Sequence, residues 1–201
     1  MLVMTPKFIF LITLFLTTFL LFTPSSSSST SLAQQNKYST FVKISCSSAT
    51  YPAACTKSLL PYASTVKTNP LTLVKAALAT ALKSTNATLS TITQLYQTNR
   101  ITKWEAKVLK DCIGDLKDSM DEIKSSIKEI SGIPKSTDKG FALSNAQTWT
   151  SAAITDENSC LDGFSDGRKT NSVIRKKIRN SIVSLARVSS NALSLINHLS
   201  V

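Results

Sequence analysis

The sequence holds one histidine, His198, and no aspartate or glutamate before Glu105. It also lacks a second histidine, a C-x2-C pair and a glycine-rich phosphate loop. Each absence removes a class of chemistry. A lone imidazole near the C-terminus reads as an end-of-helix surface group, so acid–base catalysis or a nucleophilic triad built on it is not expected. Four cysteines without a C-x2-C pair argue against zinc. With no phosphate loop or nucleic-acid motif, nucleotide chemistry has no anchor. A binding protein is favoured over an enzyme, and no cofactor is expected.

Charge is present but segregated. The chain carries a formal +11, a balance that suits a polyanionic partner. All twelve acidic residues lie between Glu105 and Asp166, where seven lysines leave that block at −5. Residues 34–104 carry +8 with no acid, and 168–187 carry +7.

Residues 8–22 form an apolar run behind Lys7, followed by Pro24 and a serine tract. This pattern predicts a secretory signal peptide over residues 1–33, cut near Ala33, rather than a membrane span, for which the run is too short. Residues 25–31 read as a low-complexity spacer, removed or disordered. Export to an oxidising compartment makes disulfides the expected use of the cysteines. Four cysteines allow three pairings. Cys46 and Cys55 flank Tyr51-Pro52, which suits a hairpin over residues 38–62 and leaves Cys112 with Cys160.

Helical periodicity then dominates residues 69–199. Asn69-Pro70 opens a helix with the stripe Leu71, Val74, Leu78, Ala81, Leu82, Thr85, Leu89, Ile92, Leu95 and Tyr96. Asn86-Ala87-Thr88 is a glycosylation acceptor off that stripe, with Asn86 as the acceptor residue. Thr102 to Glu105 matches a capping box, followed by the seam Ala106, Leu109, Ile113, Leu116, Met120, Ile123, Ile127 and Ile130. Gly114 sits inside this helix, where close approach of a neighbour or mere tolerance would account for it. In the next helix Ala142, Ala146, Trp149, Ala153, Asp156 and Cys160 fall on three- and four-residue steps. The spacing predicts that they share the packed face, so that Asp156 needs buried hydrogen-bond partners. The last helix has Ile174, Ile178, Ile182, Leu185, Ser189, Ala192, Leu193, Ile196 and Leu199 on one face. Arg175, Lys176, Lys177, Arg179 and Arg187 lie on the other. The expected fold is all-α: a four-helix bundle over residues 69–199 preceded by a short helical hairpin, with two disulfides.

The combination of Cys46 and Cys55 around Tyr51-Pro52, Lys110-Asp111-Cys112, and the segment Trp149 to Phe164 resembles the plant invertase and pectin methylesterase inhibitor family. The likeness spans residues 34–201, the inhibitor domain. It implies an all-α bundle with bridges Cys46–Cys55 and Cys112–Cys160, an extracellular cell-wall or apoplastic location, and one-to-one binding to a target enzyme whose substrate cleft is blocked. The region after Cys160 lacks the Pro-Lys-Phe element of invertase inhibitors, so the resemblance favours pectin methylesterase as partner over invertase. Ser159 stands where the family commonly has threonine. The resemblance and the charge segregation together make Asp111, Asp115, Asp118, Asp121, Glu122, Thr155, Asp156, Glu157 and Ser159 the candidate partner contacts, docking on a basic rim of the esterase. The basic blocks would face away, towards demethylated pectin as a second partner. With no catalytic domain after Val201, a free inhibitor is expected. The reading outside the family is a cationic helical protein that binds wall polysaccharide or membranes by charge alone.

Overall fold

The computed structural model describes residues 27–98, 101–164 and 171–200. The apolar run at residues 8–22 lies outside them, while the expected cut at Ala33 falls within a helix. Among the described residues there is no strand, and every extended element is helical.

Contacts divide the chain into residues 1–36 and 37–201. Of the first unit the described part is the start of helix α1, Ser27–Ser47, exposed over residues 31–36. The helix begins at Ser27, within the serine tract expected to be removed or disordered. In the second unit α1 turns into α2, Pro52–Leu59, and Cys46–Cys55 closes the turn with Cα atoms 5.5 Å apart. A 3-10 turn (Leu60–Tyr62) and the single-turn α3 (Ala63–Val66) lead to the bundle.

The bundle helices are α4 (Pro70–Tyr96), α5 (Lys103–Gly132), α6 (Lys139–Asp162) and α7 (Ser172–Asn197). Side chains start all four. Asn69 accepts from the Thr72 N–H, Thr102 and Glu105 complete the capping box, Asp138 accepts from Phe141, and Asn171 accepts from Val173. Packing runs around the square α4–α5–α6–α7–α4, with α2 lying on α7 and α4. Cys112–Cys160 joins α5 to α6, Cα atoms 4.4 Å apart.

Two of the seams are rotated from their expected positions. On α6 the buried residues are Ala142, Ala146, Thr150, Ala153, Glu157 and Cys160. Trp149 is 41% exposed, and Asp156 is only half-buried. Both sets satisfy three- and four-residue steps, so spacing alone cannot choose between them. On α5 the centre of the seam is Leu109, Cys112, Leu116, Ser119, Ile123, Ser126 and Ile130, with Ile113, Met120 and Ile127 half-buried beside it. Small residues at the centre let α6 approach: the Ser126 hydroxyl donates to the Ala146 carbonyl at 3.0 Å. On α4, Tyr96 is exposed and Thr88 is buried. Gly114 is exposed, and a Cβ there would meet open space, so tolerance accounts for it.

The core has two apolar clusters. One gathers the hairpin and Ala81, Ile123, Ala153 and Ala192. The other surrounds the long-range disulfide with Ile92, Leu109, Leu116, Phe164, Ile178, Ile182 and Leu185. Between them each bundle helix contributes a buried polar residue, Thr85, Ser119, Glu157 and Ser189. This layer cuts the bundle core at mid-height.

Candidate functional site

The acidic candidates divide into three environments. Asp111, Asp115, Asp118 and Glu122 recur at steps of four, three and four, so they line one face of α5. Asp156 faces them from α6. Burial raises the Asp115 pKa, and the charges of Asp156, Asp111 and Asp118 add to the rise. Glu122 is pushed up to about 7, first by burial and then by Asp156, with which it shares a hydrogen bond. Its second carboxylate oxygen is buried without a partner. With Glu122 raised to about 7 and Asp115 raised as well, this face holds less negative charge than its residue count implies.

Asp121 stands apart. It is exposed and bonds Lys124 Nζ at 2.7 Å on its own helix. Thr155 and Ser159 are exposed on α6, and their hydroxyls donate to the carbonyls of Ser151 and Thr155, each at 3.1 Å. Ser159, like a threonine there, keeps its oxygen on its own helix, while the methyl is lost.

Glu157 departs most from expectation. It is fully buried, so it contributes nothing to an outer face. Its Oε1 accepts from the Ser189 hydroxyl at 2.7 Å and from Ser119 at 3.2 Å, while Oε2 has no partner. Burial pushes its pKa up to about 7 against the pull of those two hydroxyls, and Asp156 and Glu122 add to the rise. A carboxyl with one unpartnered oxygen in an apolar setting is one that keeps its proton. Glu157 belongs to the bundle's interior.

Two polar devices hold the ends of the bundle. Glu105, also buried, accepts from the Thr102 N–H at 2.8 Å through Oε2 and from the Asn171 N–H at 2.7 Å through Oε1. Burial works to raise its pKa, but those donors and the Thr102 hydroxyl outweigh it and hold the carboxyl below its usual range. One carboxylate thus caps two helices, α5 through its box and α7 through Asn171. At the hairpin, the Asn191 side chain accepts from the Tyr51 N–H at 2.7 Å and donates to the Tyr51 carbonyl at 3.1 Å. Arg187, one turn earlier, lays its guanidinium over the Tyr51 ring, 5.5 Å from the centroid. The capping box was readable in sequence; the reach of Glu105 to Asn171 and of Asn191 to Tyr51, 66 and 140 residues away, was not.

The family model for plant invertase/pectin methylesterase inhibitors matches residues 40–195. The chain belongs to that family. Among inhibitor-family relatives, it is 36% identical to pectinesterase inhibitor 11 of Arabidopsis thaliana, over 96% of this chain and 97% of the relative. Pectinesterase inhibitor 4 of the same plant is 41% identical, over 80% and 81%. The crystal structure of a mutant pectin methylesterase inhibitor from Arabidopsis superposes with a TM-score of 0.63 at 15% identity, covering 77% of this chain and 94% of that one. That likeness confirms the helical-bundle fold. The matched span of the inhibitor family includes both disulfides, the acidic face and the Asn191 clamp.

Proposed function

We propose that this chain is a secreted inhibitor of pectin methylesterase, acting in the cell wall or apoplast by forming a one-to-one complex that obstructs the enzyme's pectin-binding cleft. The similarity to pectinesterase inhibitor 11 along nearly the whole of both chains carries this reading. The acidic face formed by α5 with Asp156 of α6 suits a partner whose rim is basic, as expected of an enzyme that handles a polyanion. Its exposed members, Asp111 and Asp118, with Asp121 beside them, are the first contacts; Asp115, Glu122 and Asp156 lie deeper. Secretion is supported by the expected leader, the two disulfides and the exposed Asn86, a glycosylation acceptor. No described helix is long and apolar enough to cross a membrane.

Titration of purified pectin methylesterase and of acid invertase tests the reading. Esterase activity should fall to an equivalence point of one chain per enzyme while invertase is untouched. Invertase inhibition with the esterase unaffected would replace the proposal with the family's other activity. Replacing Asp118, Asp121 and Glu122 by serine should weaken inhibition, more at low than at high salt. Unchanged inhibition at both would remove those three residues from the interface.

A further inference from the structure

A second charged feature lies elsewhere on the bundle. Helix α7 is opposite α5 in the packing order, and α2 lies on it. Between α2 and α7 opens a cleft of about 700 Å³ whose lining includes Lys57 and Ser58 from α2, and Arg179, Asn180, Ser184 and Arg187 from α7. Among the described residues no carboxylate pairs with Lys57, Arg179 or Arg187. No acid occurs in residues 34–104 or after Asp166; Asp162, at the end of α6, lines a smaller neighbouring pocket with Arg179 but not the cleft itself. Arg187 is held by Tyr51, whose backbone is in turn fixed by Asn191. The cleft therefore has one preorganised cation.

We propose that this cleft binds a polycarboxylate sugar chain, a stretch of de-esterified pectin. The inference rests on the functional reading above for the source of the ligand, since removing methyl esters from pectin leaves carboxylates along a polysaccharide. Arg179 and Arg187 are eight residues apart, roughly 12 Å along the helix axis, with Lys57 across from them. That arrangement suits charges repeated along a chain better than one small anion. Asn180, Ser58 and Ser184 supply amide and hydroxyl groups beside the cations, matching a sugar acid, which carries hydroxyls next to each carboxylate. A membrane surface would call for a broad apolar flank, and the apolar part of this cleft's lining is Ala54, Val183 and Val188, set among six polar or charged residues. Because the cleft and the acidic residues occupy different faces, one molecule can hold the wall polymer and the enzyme together. The inhibitor would then concentrate where de-esterification has already occurred.

The test measures binding of oligogalacturonates, about ten sugars long, and of the same oligomers fully methyl-esterified. The wild-type chain should bind the acid form and lose it on esterification or in high salt. Replacing Lys57, Arg179 and Arg187 by glutamine should weaken binding about tenfold or more at low salt. Replacing Lys43, Lys83 and Lys135 by glutamine removes equal charge from other exposed positions and should change it less than about threefold. Thermal melts check that both variants fold, and both should inhibit the esterase like wild type. Equal weakening by the two triples, no weakening by the first, or equally tight binding to phosphatidylserine vesicles would overturn the cleft assignment. Oligomer binding that follows this pattern in a chain failing to inhibit the esterase would support the cleft and refute the functional reading instead.

Discussion

Replacing Glu157 by glutamine should leave the bundle's stability nearly unchanged in acid and raise it above neutral pH. Glutamine has the shape of the protonated carboxyl, and its amide oxygen can accept from Ser119 and Ser189 as Oε1 does. The wild-type group titrates from 4.5 when unfolded to about 7 when folded. Below 4.5 both states carry the proton, and the wild-type contribution is fully present. As pH rises towards 7 the unfolded chain releases the proton while the folded chain retains it, so stability falls; above 7 the loss is complete. The span between the two values corresponds to about 3 kcal/mol. At roughly 2–4 °C per kcal/mol for a chain of this size, the variant should melt roughly 6–12 °C higher than wild type at pH 8. At pH 4 the two should agree to within about 1 kcal/mol. Glu122, raised to about 7 as well, is present in both proteins, and since its charge is one of the causes that raise Glu157, relief of that repulsion in the variant acts in the same direction. Urea unfolding at half-unit pH steps measures that difference directly. Parallel stability curves for the two proteins from pH 4 to 8 would refute the assignment of a buried, proton-holding Glu157.

Removing the long-range disulfide by Cys112→Ser with Cys160→Ser should cost about 4 kcal/mol in urea unfolding on the loop-entropy model, against about 3 for the Cys46–Cys55 pair, because the closed loops span 48 and 9 residues. Asn191→Leu leaves the Tyr51 N–H and carbonyl without their partner and should cost about 2–3 kcal/mol, with faster proteolysis of the hairpin as the companion readout. Trp149→Ala should cost less than about 1 kcal/mol by thermal melt, since the ring is on the surface; a loss of 3–5 kcal/mol, the range for a core tryptophan, would return Trp149 to the interior.

The four bundle helices, the starts of α4 and α5 and the short disulfide were legible in the sequence because each has a local signature: helical periodicity, an Asn-Pro entry, a capping box, a close cysteine spacing; Cys112–Cys160 followed as the remaining pair. Rotation of the seams was not. On α6 the alternatives Trp149 with Asp156 and Thr150 with Glu157 satisfy the same arithmetic, and hydropathy favours the pair containing tryptophan. The choice was made instead by close packing, which puts Thr150 against Ser126 at 2.8 Å and Glu157 between two serines. Those partners lie on other helices and leave no mark near residue 157. The acidic face of α5 was readable from its spacing, but its convergence with Asp156 and the shared hydrogen bond with Glu122 needed the α5–α6 contact. The basic stripe of α7 was equally plain in sequence; that α2 turns part of it into a cleft was not.

The polar layer at mid-bundle also bears on how the long-range disulfide forms. Apolar seams tolerate sliding, since a leucine fits one hydrophobic level nearly as well as the next. Shifting α6 by one turn, about 5.4 Å, would carry Glu157 into the cluster around Leu116 or the one around Ile123 and strand Ser119 and Ser189. That penalises the slipped alignments by several kcal/mol. Glu157 is three residues from Cys160, so the alignment it selects is the one that brings the 112 and 160 Cα atoms to 4.4 Å. A group that weakens the finished bundle at neutral pH thus penalises every alignment of α5 and α6 except the one in which Cys112 and Cys160 stand level.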